Sequence, residues 1–181
     1  MEREDPARAL DDFDEVVRLH RMRITRYLMA CLRDEDAAET LTQECLWRAY
    51  RGRASFRGDC QVSTWLLRIA VNLVRDHTRV RKIKFWKSAQ VSSTEVAEVW
   101  DSIPDKAGSP EDRAVAGDQL KQVWTAVEEL SDKQKTVFVL RFVEEMELGE
   151  IAAATGMNES TVKSHLYRAL AVVRKRIGGR P

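Results

Sequence analysis

Cysteine, glycine and proline are scarce in this sequence, at 3, 8 and 4 among 181 residues. The cysteines (Cys31, Cys45, Cys60) are odd in number, widely spaced and form no CxxC pair, and His20, His77 and His165 do not gather beside them. A disulfide framework and a zinc site are therefore not expected. Buried, inert thiols are the plain reading, with a redox-sensing thiol as the other. So little Gly and Pro excludes a collagen-like or proline-rich chain. No apolar run approaches the ~18 residues of a membrane span. The opening MEREDPARALDDFDE is acidic and lacks the basic-then-apolar order of a signal peptide. A soluble, cytoplasmic chain without membrane insertion is expected. P-loop, GxGxxG, HExxH and GxSxG motifs are also missing. No enzymatic activity, catalytic residue, metal or cofactor is expected.

Apolar residues make up 44% and charged residues 33%, enough for a core and too apolar for a disordered chain. The length allows one domain or two small ones. The net charge of +1 is uninformative, but its distribution is not. Arg68, Arg75, Arg79, Arg81, Lys82 and Lys84 stand against Asp76, a local +5. Lys163, Arg168, Arg174, Lys175, Arg176 and Arg180 stand against Glu159, again +5. Residues 95–118 between them hold seven acids and two bases. Two basic blocks around an acidic spacer suit two contacts with a polyanion. Charge alone suits solvated helix faces equally well.

Strand-like alternation is nowhere sustained, and helical spacing dominates. Phe13, Val16, Val17, His20, Ile24, Tyr27, Leu28 and Cys31 form one stripe. Asp34 reads as the N-cap of a second helix carrying Ala38, Leu41, Cys45, Leu46 and Ala49. Residues 52–63 read as a loop. Trp65, Leu66, Ile69, Leu73 and Val80 line a third helix with bases on its other face. Phe85 to Glu111 is weakly patterned and acidic, with Pro104, Gly108 and Pro110. It predicts a flexible linker with a short helical piece around Glu95 to Trp100. Beyond it, Leu120, Val123, Trp124, Val127 and Leu130 form a stripe, Ser131 is an N-cap, and two short helices break at Gly156. The expected fold is all-α, with helical domains over 1–84 and 112–181 joined by the linker 85–111. Each core is thin.

The segment Leu148 to Leu166 has the make-up of a helix-turn-helix. Ile151 supplies an apolar contact, and the small Ala152 lets helices cross closely. Gly156 supplies a turn in which positive φ is cheap, and Asn158 can cap the next helix. Val162, Leu166, Ala169, Leu170, Val173 and Ile177 make one apolar stripe. Ser160, Lys163, Ser164, Tyr167 and Arg168 face away, as a helix entering a major groove requires. An ordinary helical hairpin with a solvated face has the same pattern.

Both halves together carry a family resemblance. The runs Ala38-Glu-Thr-Leu-Thr-Gln-Glu-Cys-Leu-Trp-Arg-Ala-Tyr50, Ser55-Phe-Arg-Gly-Asp59 and Thr64-Trp-Leu-Leu-Arg-Ile-Ala-Val-Asn72 closely resemble the promoter-melting domain of bacterial sigma factors of the small extracytoplasmic-function (ECF) class. Leu130-Ser-Asp-Lys-Gln-Lys-Thr-Val-Phe-Val-Leu-Arg141, followed by the helix-turn-helix, resembles that class's upstream-element domain. The resemblance implies a protein that binds core RNA polymerase at the clamp coiled coil and flap, selects a promoter, and engages its DNA in double- and single-stranded form. It also implies an anti-sigma partner. A self-standing helix-turn-helix regulator is the alternative.

The resemblance further implies roles for residues. Glu39, Gln43, Glu44 and Trp47 would contact core polymerase, with Leu41 facing inward. Phe56, Arg57, Gly58 and Asp59 match the loop that holds a base flipped from the minus-ten element; Phe56 as a core anchor is the other reading. Unstacking a base costs a few kcal/mol, offset by stacking and edge hydrogen bonds. Arg68, Asn72 and Asp76 recur at four-residue spacing on one helix face, which would read the non-template strand. Asn72 can donate and accept at a base edge. Asp76 is unusual on such a face; it can accept from an exocyclic amine of a base or instead pair with Arg75 or Arg79. Arg75, Arg79, Arg81 and Lys82 would hold phosphates, while Trp65, Leu66 and Ile69 read as core. Arg141, Ser160, Thr161, Lys163, Ser164, Tyr167 and Arg168 fall where the family contacts the minus-thirty-five element, and His165 can read a base or face solvent, the latter reading being the plainer. Four positions depart from the pattern: Thr40 for an acid, Leu46 for Phe, Glu147 for a hydroxyl residue and Leu170 for a base.

Overall fold

In the computed structural model, residues 10–88 and 110–178 are described, and they fold into seven α-helices and a short 3-10 turn without any strand. Helix α1 (Phe13–Leu32) begins where Asp12 accepts from the Glu15 N–H at 3.1 Å, with Asp14 and Glu15 favouring the positive helix start. Its stripe of Val16, Ile24, Tyr27, Leu28 and Cys31 is buried as predicted, whereas His20 is half-buried. Helix α2 (Glu35–Gly52) is capped by Asp34 through the Ala37 N–H at 2.9 Å. It turns Ala38, Thr42, Cys45 and Ala49 inward. These side chains are small, so α1 and α3 can approach closely. The buried Thr42 hydroxyl is satisfied by the Ala38 carbonyl at 2.7 Å. A 3-10 turn (Arg53–Ser55) leads to α3 (Val62–Ser88). Fully buried Ile24 and Leu28 of α1 and Leu66 and Leu67 of α3 form the centre of the core beside the small residues of α2. Each contributes ~2–3 kcal/mol of transfer free energy.

The C-terminal helices are α4 (Pro110–Glu128), α5 (Asp132–Phe142), α6 (Leu148–Thr155) and α7 (Glu159–Ile177). Pro110 stands at a first helical position, where its missing N–H is harmless. Ser131 and Gln134 close a capping box on α5, as the N-cap expectation required. Helix α7 has 19 residues. It is thus not a short helix, because its apolar stripe continues across α4 and α5 as far as Val173.

Helix replaces both ends of the predicted linker: α3 continues through Ser88 and α4 starts at Pro110. Residues 89–109, with the expected helical piece at Glu95 to Trp100, lie outside the described residues. The two helical groups pack together, α6 lying along α3 and α1 against α5. Among the described residues no helix is long and apolar enough to cross a membrane. Cys31 and Cys45 are buried and Cys60 partly so. Burial pushes the first two thiols up to about 12.

Candidate nucleic-acid interface

The polar side of α2 results from simple periodicity. With Ala38, Thr42, Cys45 and Ala49 turned inward, Glu39, Gln43, Glu44 and Trp47 are left on the opposite flank. Glu39 accepts from Gln43 at 3.3 Å and from Arg21 at 2.6 Å, and these partners hold its carboxyl below the usual range. Glu44 pairs with Arg48 at 2.6 Å. Trp47 is 53% exposed, with the Arg51 guanidinium 4.8 Å from its ring. A solvent-exposed indole beside paired carboxylates is the mix of apolar and charged surface that protein partners use, and exposed aromatic rings often dominate such binding. Between α2 and α3 runs an open groove of about 780 Å³, lined by Leu41, Gln43, Glu44 and Trp47 on one side and Leu73, Asp76, His77 and Val80 on the other. The sequence reading had not placed His77 or Val80 with the α2 residues. Asp76 lines this groove and lies 4.0 Å from Arg75. Its carboxylate therefore belongs at least as much to the α2 flank as to a DNA-reading face.

Phe56 is buried, 8% exposed, with its ring 5.2 Å from that of Trp65. Its ring anchors the loop to the core and is not offered for stacking. The loop tip is different: Arg57 and Asp59 are exposed on either side of Gly58, whose φ of 74° suits a residue without a Cβ. Burial pushes the Cys60 thiol up, while Arg68 close by acts in the opposite direction. The tip and the start of the α3 polar face are thus neighbours. Along that face Arg68, Arg75 and Arg79 are exposed and Asn72 is half-buried. Leu66 is core, as predicted, with Trp65 and Ile69 partly buried beside it. A row of cations with one amide can hold a phosphate backbone and question a base edge.

In the C-terminal half, Gly156 ends α6 in the left-handed region, φ 71°. Asn158 then caps α7 through the Thr161 N–H at 2.8 Å. Glu147 caps α6 in a capping box with Glu150, so the unusual acid does serve the helix start. Arg141 donates from Nη1 to the Met146 carbonyl at 2.9 Å and to Glu147 at 3.1 Å. It thus braces the loop before α6. Ser160, Lys163, Ser164, Tyr167 and Arg168 are exposed, Tyr167 at 72%, and Thr161 is half-buried. Ser160 donates its hydroxyl proton to Asn158 Oδ1 at 2.9 Å, and Ser164 to the Ser160 carbonyl at 2.9 Å. Their free lone pairs make them acceptors, suited to the amino groups of adenine or cytosine. His165 lies at the edge of the exposed face. It is half-buried, its Nδ1 lacks a partner among the described residues, and burial, then Lys133 and Arg168, push its pKa below the usual imidazole range.

Sequence reasoning missed one cluster. Arg23 and Arg26 of α1 converge on Glu144, in the loop between α5 and α6, whose side chain is wholly buried. No local pattern marks it, because the partners are 118 and 121 residues apart.

Residues 16–83 match the family model "Sigma-70 region 2", and residues 120–172 match "Sigma-70, region 4". The chain is 31% identical over 167 residues to the ECF RNA polymerase sigma factor SigW of Bacillus subtilis, covering 92% of this chain and 89% of that one. It is 34% identical over 167 residues to the RNA polymerase sigma-E factor of Streptomyces antibioticus, covering 92% and 84%. Among solved structures, its fold is similar to that of the sigma factor RpoE of Bartonella quintana, crystallised with the anti-sigma factor NepR. That match has a TM-score of 0.73 at 23% identity, over 94% of this chain and 99% of that one.

Proposed function

The chain belongs to the sigma-70 family, in its ECF group, and from that premise we propose that it binds core RNA polymerase, recognises a promoter through minus-ten and minus-thirty-five elements, and opens it for a signal-responsive set of genes. One observation carries the reading. A single chain presents two separate polar faces rich in cations, one on α3 and one on α7, and a third, aromatic flank on α2 carrying exposed Trp47. A regulator working alone on duplex DNA needs the α7 face but has no use for the others.

In this reading the α2 flank (Glu39, Gln43, Glu44, Trp47) meets the polymerase clamp. Asn72 reads a base of the non-template strand. Arg68, Arg75 and Arg79 hold its phosphates, and the backbone and the Arg57 and Asp59 side chains of the tip receive the flipped base. Phe56 stiffens that tip from below. On α7, Ser160, Thr161, Lys163, Ser164, Tyr167 and Arg168 enter the upstream major groove, with Arg141 fixing the angle of approach. Residues 1–84 and 112–181 act as the two binding units, extended in helix to Ser88 and back to Pro110. Polymerase fixes their spacing, so two modest contacts multiply through effective concentration. An anti-sigma protein holds the factor inactive until a signal arrives. The capture of the similar RpoE with NepR supports that partner class.

The test is a pull-down with purified core polymerase, followed by run-off transcription from fragmented genomic DNA. Stable core binding with new discrete start sites is expected. Absence of core binding, with tight duplex binding by the isolated chain, would replace this reading with a self-standing regulator.

A further inference from the structure

Glu144 is the most heavily engaged carboxylate among the described residues, and its side-chain partners all come from the other half of the chain. Arg26 donates from Nε to Oε1 at 2.9 Å and from Nη2 to Oε2 at 3.0 Å. Arg23 donates from Nε to Oε2 at 2.8 Å and from Nη2 to the Glu144 carbonyl at 2.9 Å. The carboxylate is wholly buried, while Arg23 and Arg26 remain 32% and 49% exposed. Around this centre Tyr27 of α1 is buried against the side of α5 that carries Thr136. Arg33 meets Glu128, and Lys82 meets Asp132 at 2.5 Å. The loop that delivers Glu144 is held in shape by Arg141 and by Glu145 in the left-handed region, φ 56°.

A buried ion pair adds little net stability over an apolar contact, but a buried charge stripped of its partners is strongly unfavourable. The cluster therefore makes the packing of the two halves conditional on the arginines staying with Glu144. That packing matters for promoter binding. Helices in contact lie ~8–10 Å apart, so α7, packed on α6, has its axis within ~20 Å of α3 at the contact. Elements centred near minus ten and minus thirty-five are separated by roughly 85 Å at ~3.4 Å per base pair. The packed form cannot occupy both.

We propose that Glu144, Arg23 and Arg26 form an interdomain latch that holds the free chain closed and must release before the two promoter elements can be bound together. The competition with the promoter rests on the sigma-factor reading; the latch itself does not.

The test uses the full chain in solution scattering. Wild type should show a radius of gyration near the ~16 Å of a compact chain of this length. The double variant Arg23→Ala/Arg26→Ala should shift the equilibrium toward the open form by roughly 10²-fold or more, raising that radius by several ångströms. Adding Glu144→Leu should restore compactness, because no carboxylate remains to be stranded. Recovery in the triple variant also shows that the double variant was not merely misfolded, which its circular dichroism checks directly. An unchanged radius in a folded double variant overturns the latch. An open double variant that forms promoter complexes with polymerase no faster than wild type overturns the competition. Failure of wild type itself to bind core polymerase would instead count against the function proposed above.

Discussion

Gly156→Ala isolates the backbone requirement of the helix-turn-helix. Gly156 sits at φ 71°, ψ 15°, and its N–H donates to the Ala152 carbonyl at 2.9 Å. A Cβ built there meets nothing within 4 Å. Alanine therefore introduces no clash, and the cost is the left-handed conformation itself, about 1–2 kcal/mol for an L-residue. Part of this is returned because alanine has less freedom than glycine in the unfolded chain, ~0.4–1 kcal/mol. The net loss is about 1 kcal/mol, or ~3 °C in melting temperature for a chain of this size. Gly156→Asn should fall between glycine and alanine, since asparagine tolerates this region, and Gly156→Val should be worst. Thermal and urea unfolding of the full chain would rank the series. An alanine variant as stable as wild type would refute the left-handed requirement. A loss above ~3 kcal/mol would mean a steric clash that the open surroundings exclude.

Asn158→Ala removes the acceptor for the Thr161 N–H and should cost about 1 kcal/mol in urea unfolding, with the loss falling on α7. Asn72→Ala should impair promoter opening, read by permanganate reactivity of unpaired thymines, while leaving core-polymerase binding intact; loss of core binding would reassign that face. Trp47→Ala should do the reverse, weakening core binding in a pull-down by tenfold or more at the level of an interface hot spot (~1.4 kcal/mol per tenfold). Cys31 and Cys45 keep their protons to about 12 when folded, against 9.0 ordinarily. Their contribution to stability is therefore intact below pH 9 and declines as pH rises from 9 toward 12. Urea midpoints should fall over that range in wild type, and fall less steeply in Cys31→Ala/Cys45→Ala.

Most of the helical framework was legible because it is written locally. Asp34, Ser131 and Asn158 each cap the helix that follows, and Gly156 makes the turn between α6 and α7. The α1 stripe and the exposed α7 face follow from a period of 3.6 residues. Helix ends were harder. Acidic and serine-rich composition suggested that helix would stop before Phe85, yet α3 runs to Ser88, since such residues lower helix propensity without forbidding it. Phe56 had two readings in the sequence, and the packing partner that distinguishes them, Trp65, comes from the next helix. Glu144 could not be read at all. In the run Phe142-Val-Glu-Glu-Met-Glu147 it looks like its exposed neighbours, and only the docking of α1 makes it a buried group. His165 had two readings in the sequence, because its position on α7 is at the edge of the apolar stripe, where the neighbouring helices decide exposure.

The separation of Glu144 from Arg23 by 121 residues also sets an order of events during synthesis. Chains grow at ~5–20 residues per second, and an N-terminal helical domain folds far faster than that. Helices α1 to α3 can therefore be complete at Ser88 while Glu144 is still to be made, an interval of roughly 3–11 seconds. For that time the nascent chain displays Arg23, Arg26 and the side of α3 that α6 later covers. Each new molecule thus passes once through a stage in which its first half is folded and uncovered, before its second half exists to close over it.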